Sequence, residues 1–463
     1  MTAKLLKNYI GGTWVESKSK ETVDVLNPAT GEKIGQTLLS TAGEVNEAVK
    51  AAQNAFPDWR KTPPLTRARY LYRLKTALED NFEELAKLTT IEAGKTLDES
   101  RGELRRAIEM VEVALGIPSM MRGYNLEDVA EGIDCSATRQ PLGVFAAIAP
   151  YNFPLMVPFW FWPFAVACGN TYIVKPSEQD PLSQQKICEV NAILENPNIK
   201  GVSFVGSSAV AKIIYKKCGE TGKRVQSLGG AKNFAVIMPD ANIDAAVPAI
   251  IGSAFGCAGQ RCLATSVALT VGESYEPFKK AMANAASKIK VGFGLDESVQ
   301  MGPVISNRHK ERVLSYIEKG VQEGAELILD GRKIKVSGSE GGFFVGPTIF
   351  DKVKAEMAIA REEIFGPVLA IIQVKNLDEA LEIIQKNEYG NASSIFTKSG
   401  KSARDFKYKV PCSMTGVNIG IPAPMAFFPF GGNKGSFFGD IKGHGPEIVD
   451  FFTDKKIVIE RWN

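Results

Sequence analysis

The chain is 463 residues long, 44% hydrophobic and 23% charged, with a formal net charge of +3. That length divides into two or three domains, and the composition excludes a disordered or fibrous protein. With no long basic run, nucleic acid is not an expected partner, while acidic small molecules stay open.

The start, MTAKLLKNYIGGTW, holds no apolar signal core and no Arg/Ser-rich transit pattern. A cytoplasmic protein is expected, or a mitochondrial-matrix one whose presequence has been removed. Residues 44–60 and 65–118 carry Ala, Leu, Glu, Lys and Arg at helical spacing and read as consecutive amphipathic helices. From about residue 143 the texture changes. VFAAIAP (144–150), TYIVKP (171–176), GVSFVG (201–206), KRVQSLGG (223–230) and FAVIMP (234–239) are short apolar runs with helix-compatible segments between them. The apolar stretch from Phe153 to Cys168 is broken by Pro154, Pro158 and Pro163 and is too short to span a membrane. A second group follows, VALTVG (267–272), AELILD (325–330), VLAIIQV (368–374) and SSIFTK (393–398), separated by helical stretches such as 276–289 and 307–323. This alternation predicts two α/β domains with mostly parallel sheets. Ligands of such sheets bind beyond the carboxyl ends of the strands. Tyr151, Asn152, residues 175–178, Gly206, Ser207 and residues 229–232 stand at those ends.

The seven cysteines (Cys135, Cys168, Cys188, Cys218, Cys257, Cys262 and Cys412) are odd in number and lack CxxC spacing. That argues against a disulfide framework or zinc ribbon and for a reducing compartment. Cys262 lies among small residues directly after Arg261. A free thiol with a pKa of about 8.5 is a few per cent thiolate at neutral pH, and an adjacent cation raises that fraction. A buried structural cysteine is the plain alternative. Lys175 and Glu178, one short turn apart after a strand, could hold the hydroxyls of an adenosine ribose, the carboxylate repelling a 2′-phosphate. Ser177 or Glu178 could equally cap a helix. No GxGxxG occurs. Both histidines, His309 in SNRHKER and His444 in a glycine-flanked turn, read as exposed, so a histidine base or metal site is not expected.

APYNFP (149–154), IVKPSE (173–178), FVGS (204–207), GQRCLA (259–264), EEIFGPV (362–368) and PFGGNKGS (429–436) occur in one order over nearly the whole chain. Together they resemble the aldehyde dehydrogenase superfamily. GQRCLA, the YNFPLMVPFWFWPFAVACGNT run, GPTIF and PAPMAFFPF are most similar to its CoA-acylating branch, the methylmalonate-semialdehyde dehydrogenases. The resemblance implies a parallel-sheet NAD-binding domain (1–123 and 142–228), an α/β catalytic domain (229–425), and a β-ribbon oligomerisation element (124–141 and 426–463). An exposed ribbon wants a partner edge, and the family pairs it in homodimers or homotetramers.

The resemblance also implies roles. Cys262 would attack the aldehyde, and the Asn152 amide with the Cys262 backbone N–H would form the oxyanion hole. Arg106 and Arg261 would anchor a substrate carboxylate through their planar forks, although Arg101, Arg105 and Arg106 could simply be a solvated helix face. Lys175 and Glu178 would hold the adenosine ribose of NAD, with Ser207 near its pyrophosphate. Glu363 would hold the nicotinamide ribose, beside Phe365 and Tyr151. Hydrolytic members carry a glutamate base where this chain has Leu228, so coenzyme A is the expected acceptor of the thioester. A β-carboxylate could then leave as CO2, giving propionyl-CoA or acetyl-CoA. The rivals are a hydrolytic semialdehyde dehydrogenase and a non-catalytic paralogue. One departure stands out. About two dozen residues of the family pattern, one βα unit, have no counterpart between Val190 and Asn191, which predicts a shortened sheet and weakened NAD binding.

Overall fold

A computed structural model describes residues 4–183 and 196–462. The Val190–Asn191 junction lies outside the described residues. The helical texture of the N-terminal part resolves into Ala42–Lys61, Pro64–Asp80, Phe82–Ala93 and α1 (Leu97–Ala114). Thr96 and Glu99 form a reciprocal capping box at the start of α1, which satisfies otherwise orphaned N–H groups and fixes where that helix begins.

The ribbon strands β1 (Tyr124–Ala130) and β2 (Ile133–Pro141) lead into β3 (Val144–Ile148), β4 (Thr171–Lys175), β5 (Ile199–Val205) and β6 (Arg224–Leu228). The second group is β7 (Asn233–Ile237), β8 (Thr265–Val271), β9 (Glu326–Leu329), β10 (Thr348–Asp351), β11 (Val368–Val374), β12 (Ala392–Phe396) and β13 (Met414–Val417). β14 (Phe437–Gly439) and β15 (Thr453–Arg461) close the chain. The first sheet runs β14-β6-β5-β3-β4 and the second β9-β10-β11-β8-β7-β12-β13. Pairing is parallel throughout except for β14 on β6 and β9 on β10. Strands such as β3, β7 and β12 are buried at every position, as continuous apolar runs covered on both faces should be.

Three details differ from the sequence reading. FAVIMP, grouped by texture with the first set of strands although the domain bounds put it in 229–425, supplies β7 inside the second sheet, because β7 pairs with β8 and β12. β10 and β13 were not singled out as strands. Residues 437–439, grouped with the ribbon, pair with β6 instead. The ribbon itself is the sheet β15-β2-β1, in which β15 runs antiparallel to the whole of β2.

The topology places the site. β4 follows β3 on one side of it and β5 lies on the other, so strand order reverses at the carboxyl end of β3. Such a switch point opens a crevice. Tyr151 and Asn152 leave β3 there, Gly206 and Ser207 leave β5, and β6 ends beside them at Leu228.

Candidate active site

Cys262 follows α2 (Ile243–Phe255) and a tight turn, Gly256–Gly259. Cys257 and Ala258 both have φ of 51° and Gly259 has φ of 70°. The left-handed region costs a non-glycine residue about 1–2 kcal/mol, so such residues persist only where their surroundings hold them. Here Glu99 Oε1 accepts the Cys257 N–H at 2.5 Å. A Cβ on Gly259 would sit 2.1 Å from Gly366 O, so only glycine allows this turn to pack on the EEIFGP loop. Beyond the turn, the Cys262 carbonyl accepts the side-chain amides of Asn233 and Asn391, each at 2.8 Å. Asn152 Nδ2 donates to Gln260 O at 3.0 Å, which brings that amide to the same loop.

Burial pushes the Cys262 thiol up to about 12; the Glu363 carboxylate pushes the same way, while Arg261 and the N–H groups of Cys262 and Leu263 pull it down. The sequence reading expected the adjacent arginine to raise the thiolate fraction. Arg261 acts in that direction, but desolvation wins.

The half-buried thiol opens on a pocket of about 290 Å3 whose lining includes Arg106, Arg261, Trp160, Phe430 and His444. Two larger clefts, of about 720 and 750 Å3, lie away from Cys262. Size alone would have missed the site. Of the three arginines on α1, Arg101 pairs with Glu83 and Glu297 and Arg105 lies near Glu79. Arg106 alone turns into the pocket, pairing with Glu109 at 2.8 Å and donating to Pro424 O at 2.7 Å. Arg261 is held by weaker contacts, to Cys257 Sγ at 3.2 Å and Gly252 O at 3.4 Å.

On the opposite side, Lys175 Nζ donates to Glu178 Oε2 at 2.7 Å. Burial pushes the Glu178 carboxyl up, but the Lys175 ammonium outweighs it and holds the group below its ordinary range. Ser207 is the N-cap of α3 (Ser208–Glu220) and makes no side-chain cap bond. Glu363 Oε1 accepts the Ala231 N–H at 2.8 Å, and burial raises its carboxyl to about 7 against the pull of that N–H and of Lys232. The Tyr151 ring meets Phe365 edge-on at 6.0 Å, and Phe365 itself has φ of 64°. Leu228 is buried in the core with Phe145, Cys257 and Phe430; no carboxylate stands at that position.

Both histidines correct the sequence reading. His444 is 1% exposed, packed against Trp160 and Phe430, and burial lowers it to about 3. It is therefore neutral at physiological pH. His309, in the first turn of the helix Asn307–Gln322, is half-buried and places Nε2 2.7 Å from Phe365 O. Charged sequence neighbours hid the inward face of that turn. Asn233 and Asn391 were also missed, since a lone asparagine carries no signal until its partner carbonyl is known.

With this geometry in view, the chain can be compared with known proteins. A sequence model of the aldehyde dehydrogenase family matches residues 14–192 and 189–458. The chain belongs to the aldehyde dehydrogenase family. Malonate-semialdehyde dehydrogenase 2 of Geobacillus kaustophilus is 47% identical over 478 residues, covering 99% of each chain. Malonate-semialdehyde dehydrogenase of Halalkalibacterium halodurans is 46% identical over 482 residues, with 100% of this chain and 99% of the relative covered. Among solved structures, methylmalonate-semialdehyde dehydrogenase from Oceanimonas doudoroffii superposes with a TM-score of 0.97 at 43% identity, covering 100% of this chain and 99% of its own. An NAD complex from Sinorhizobium meliloti, assigned to the same activity, gives 0.97 at 39% identity with the same coverage. The family match breaks at residues 189–192, the junction where the sequence departs from the family pattern. This aldehyde dehydrogenase has no helix, among its described residues, long and apolar enough to cross a membrane.

Proposed function

We propose that the chain is an NAD-dependent, CoA-acylating dehydrogenase that converts methylmalonate or malonate semialdehyde into propionyl-CoA or acetyl-CoA, CO2 and NADH. One observation carries this reading: Cys262, Arg106 and Arg261 line a single pocket. A thiol and two arginines on one pocket suit an aldehyde with a carboxylate close to the carbonyl. The semialdehyde dehydrogenase activities of the relatives point to the same substrates.

In this reading the Cys262 thiol releases its proton to solvent and the thiolate adds to the aldehyde carbon, forming a thiohemiacetal. The Asn152 amide and the Cys262 backbone N–H stabilise the resulting oxyanion. Two features of the chain fit a dinucleotide. The first-turn N–H groups of α3 lack a side-chain cap, as a phosphate-binding helix start requires. The Lys175–Glu178 pair sets a donor and an acceptor side by side, as a ribose diol requires. Lys175, Glu178, Ser207 and Glu363 would hold NAD against a wall of Tyr151 and Phe365, and NAD there supplies the hydride acceptor. Loss of hydride leaves a thioester on Cys262. Leu228 cannot activate water, so the acyl group passes to the thiol of coenzyme A and the Cys262 thiol is regenerated. A carboxylate β to the thioester carbonyl leaves as CO2; the carbonyl takes the electron pair as an enolate, which then gains a proton.

The same reading assigns residues 1–123 and 142–228 to NAD binding and 229–425 to catalysis. It assigns the ribbon, with exposed Tyr124, Leu126, Ile457 and Ile459, to a homodimer or homotetramer contact. Mass spectrometry after incubation with methylmalonate semialdehyde, NAD and coenzyme A tests it. Propionyl-CoA equal to the NADH formed is expected. Free carboxylic acid in place of the CoA ester would establish the hydrolytic alternative.

A further inference from the structure

The turn that precedes the nucleophile contains a second thiol with no part in the reaction above. Cys257 is 4% exposed, and its left-handed backbone folds its sulfur back under the residue four positions on. Arg261 Nη2 donates to Cys257 Sγ at 3.2 Å. The same residue's N–H is held by Glu99 Oε1, while Glu99 Oε2 accepts the Thr96 N–H at 3.0 Å. A Cβ on Gly256 would lie 3.3 Å from both Arg261 Nη1 and Glu99 Oε1, so guanidinium and carboxylate flank that glycine from two elements. Glu99, Arg261 and Cys262 all line the pocket. The guanidinium carries five N–H donors, and among the described residues its hydrogen bonds reach Gly252 O and Cys257 Sγ alone. Donors therefore remain for a ligand, and what fixes their direction is the thiol and the turn beneath it.

We propose that Cys257 and Glu99 are positioning residues that aim Arg261 at the substrate carboxylate and so set the preference for carboxylate-bearing aldehydes. This rests on the reading of Arg261 as a carboxylate anchor. Glu99 ties the start of α1 to the strained turn, the turn presents the Cys257 sulfur, and the sulfur limits the directions the guanidinium can take. An oxygen acceptor at residue 257 can replace sulfur in this role; a methyl group cannot.

Steady-state kinetics with methylmalonate semialdehyde and with propionaldehyde test the proposal. Cys257→Ala should raise KM for the semialdehyde about fivefold, the size of one lost hydrogen bond, and move KM for propionaldehyde less than about twofold. Cys257→Ser should bring the semialdehyde KM back to within about twofold of the parent. Added to Arg261→Ala, Cys257→Ala should raise the semialdehyde KM no further, because two residues acting through one group are not additive. Equal changes on both substrates, or additive effects in the double variant, would reduce Cys257 to a packing residue and overturn the proposal. If Cys257→Ala does not fold, Cys257→Ser and Glu99→Gln decide. Both keep an acceptor and should retain the parent's substrate preference; loss of that preference in Cys257→Ser overturns the role. Arg261→Ala alone separates the two levels. If it fails to discriminate the substrates, the anchor reading itself falls, and this inference with it.

Discussion

The two sides of the cleft are held by different means. On the thiol side, position comes from atoms with little freedom: two asparagine amides on the Cys262 carbonyl, Glu99 on the turn, and Gly259 pressed on Gly366. On the side proposed for the dinucleotide, the candidate ligand groups hold one another or nearby backbone. Lys175 pairs with Glu178, and Glu363 leans on the Ala231 N–H. A preorganised nucleophile costs no rearrangement during reaction, whereas a cofactor that binds and leaves can exchange contacts with groups satisfied in its absence. Chemistry and cofactor affinity should therefore be separable by substitution.

The largest separation is expected at the nucleophile. Cys262→Ala should lower NADH formation at least a thousandfold, about 4 kcal/mol, while calorimetry finds NAD affinity and thermal stability little changed, because both asparagines bind the main chain. Next comes the thiol's response to pH. With the thiol pushed up to about 12, it is protonated at neutral pH and its thiolate fraction grows about tenfold per pH unit. Iodoacetamide alkylation of Cys262 in the free protein should thus rise about a hundredfold from pH 7 to pH 9 without levelling off. A plateau below pH 9 would mean that Arg261 outweighs burial.

A smaller effect is expected at the anchors. Arg106→Ala should cost about 2 kcal/mol, roughly thirtyfold in kcat/KM, on methylmalonate semialdehyde and little on propionaldehyde. Equal losses on both would make Arg106 structural, a tie between Glu109, Pro424 O and the Met425 sulfur. The smallest change sharpens the other side. Lys175→Ala should weaken NAD about tenfold, near 1.4 kcal/mol, by calorimetry, and leave the alkylation rate of Cys262 unaltered.

What the sequence disclosed follows the reach of each interaction. Period and punctuation placed β3 to β6, β8 and β11 within about two residues, because buried parallel strands are continuous apolar runs. The motifs APYNFP, IVKPSE and GQRCLA pointed to Asn152, Lys175, Glu178 and Cys262; the first three follow the neighbouring strands β3 and β4, and the Asn152 amide reaches the Cys262 loop at Gln260 O. Contacts between distant segments were not legible. Nothing local marks His444 as buried under Trp160 or Asn391 as a lock on Cys262. The assignment of β7 to the second sheet is also a pairing fact, set by β8 and β12 rather than by the run itself.

The handover of the acyl group is the central claim, and it rests on Leu228 standing in the core where a base would be needed. Rapid mixing of enzyme, NAD and methylmalonate semialdehyde, followed at the NADH absorbance, tests it most directly. Without coenzyme A, one equivalent of NADH per Cys262 should appear and turnover should then stop; added coenzyme A should restore steady turnover. Sustained turnover without coenzyme A would contradict the account and show that water reaches the thioester with a base other than residue 228.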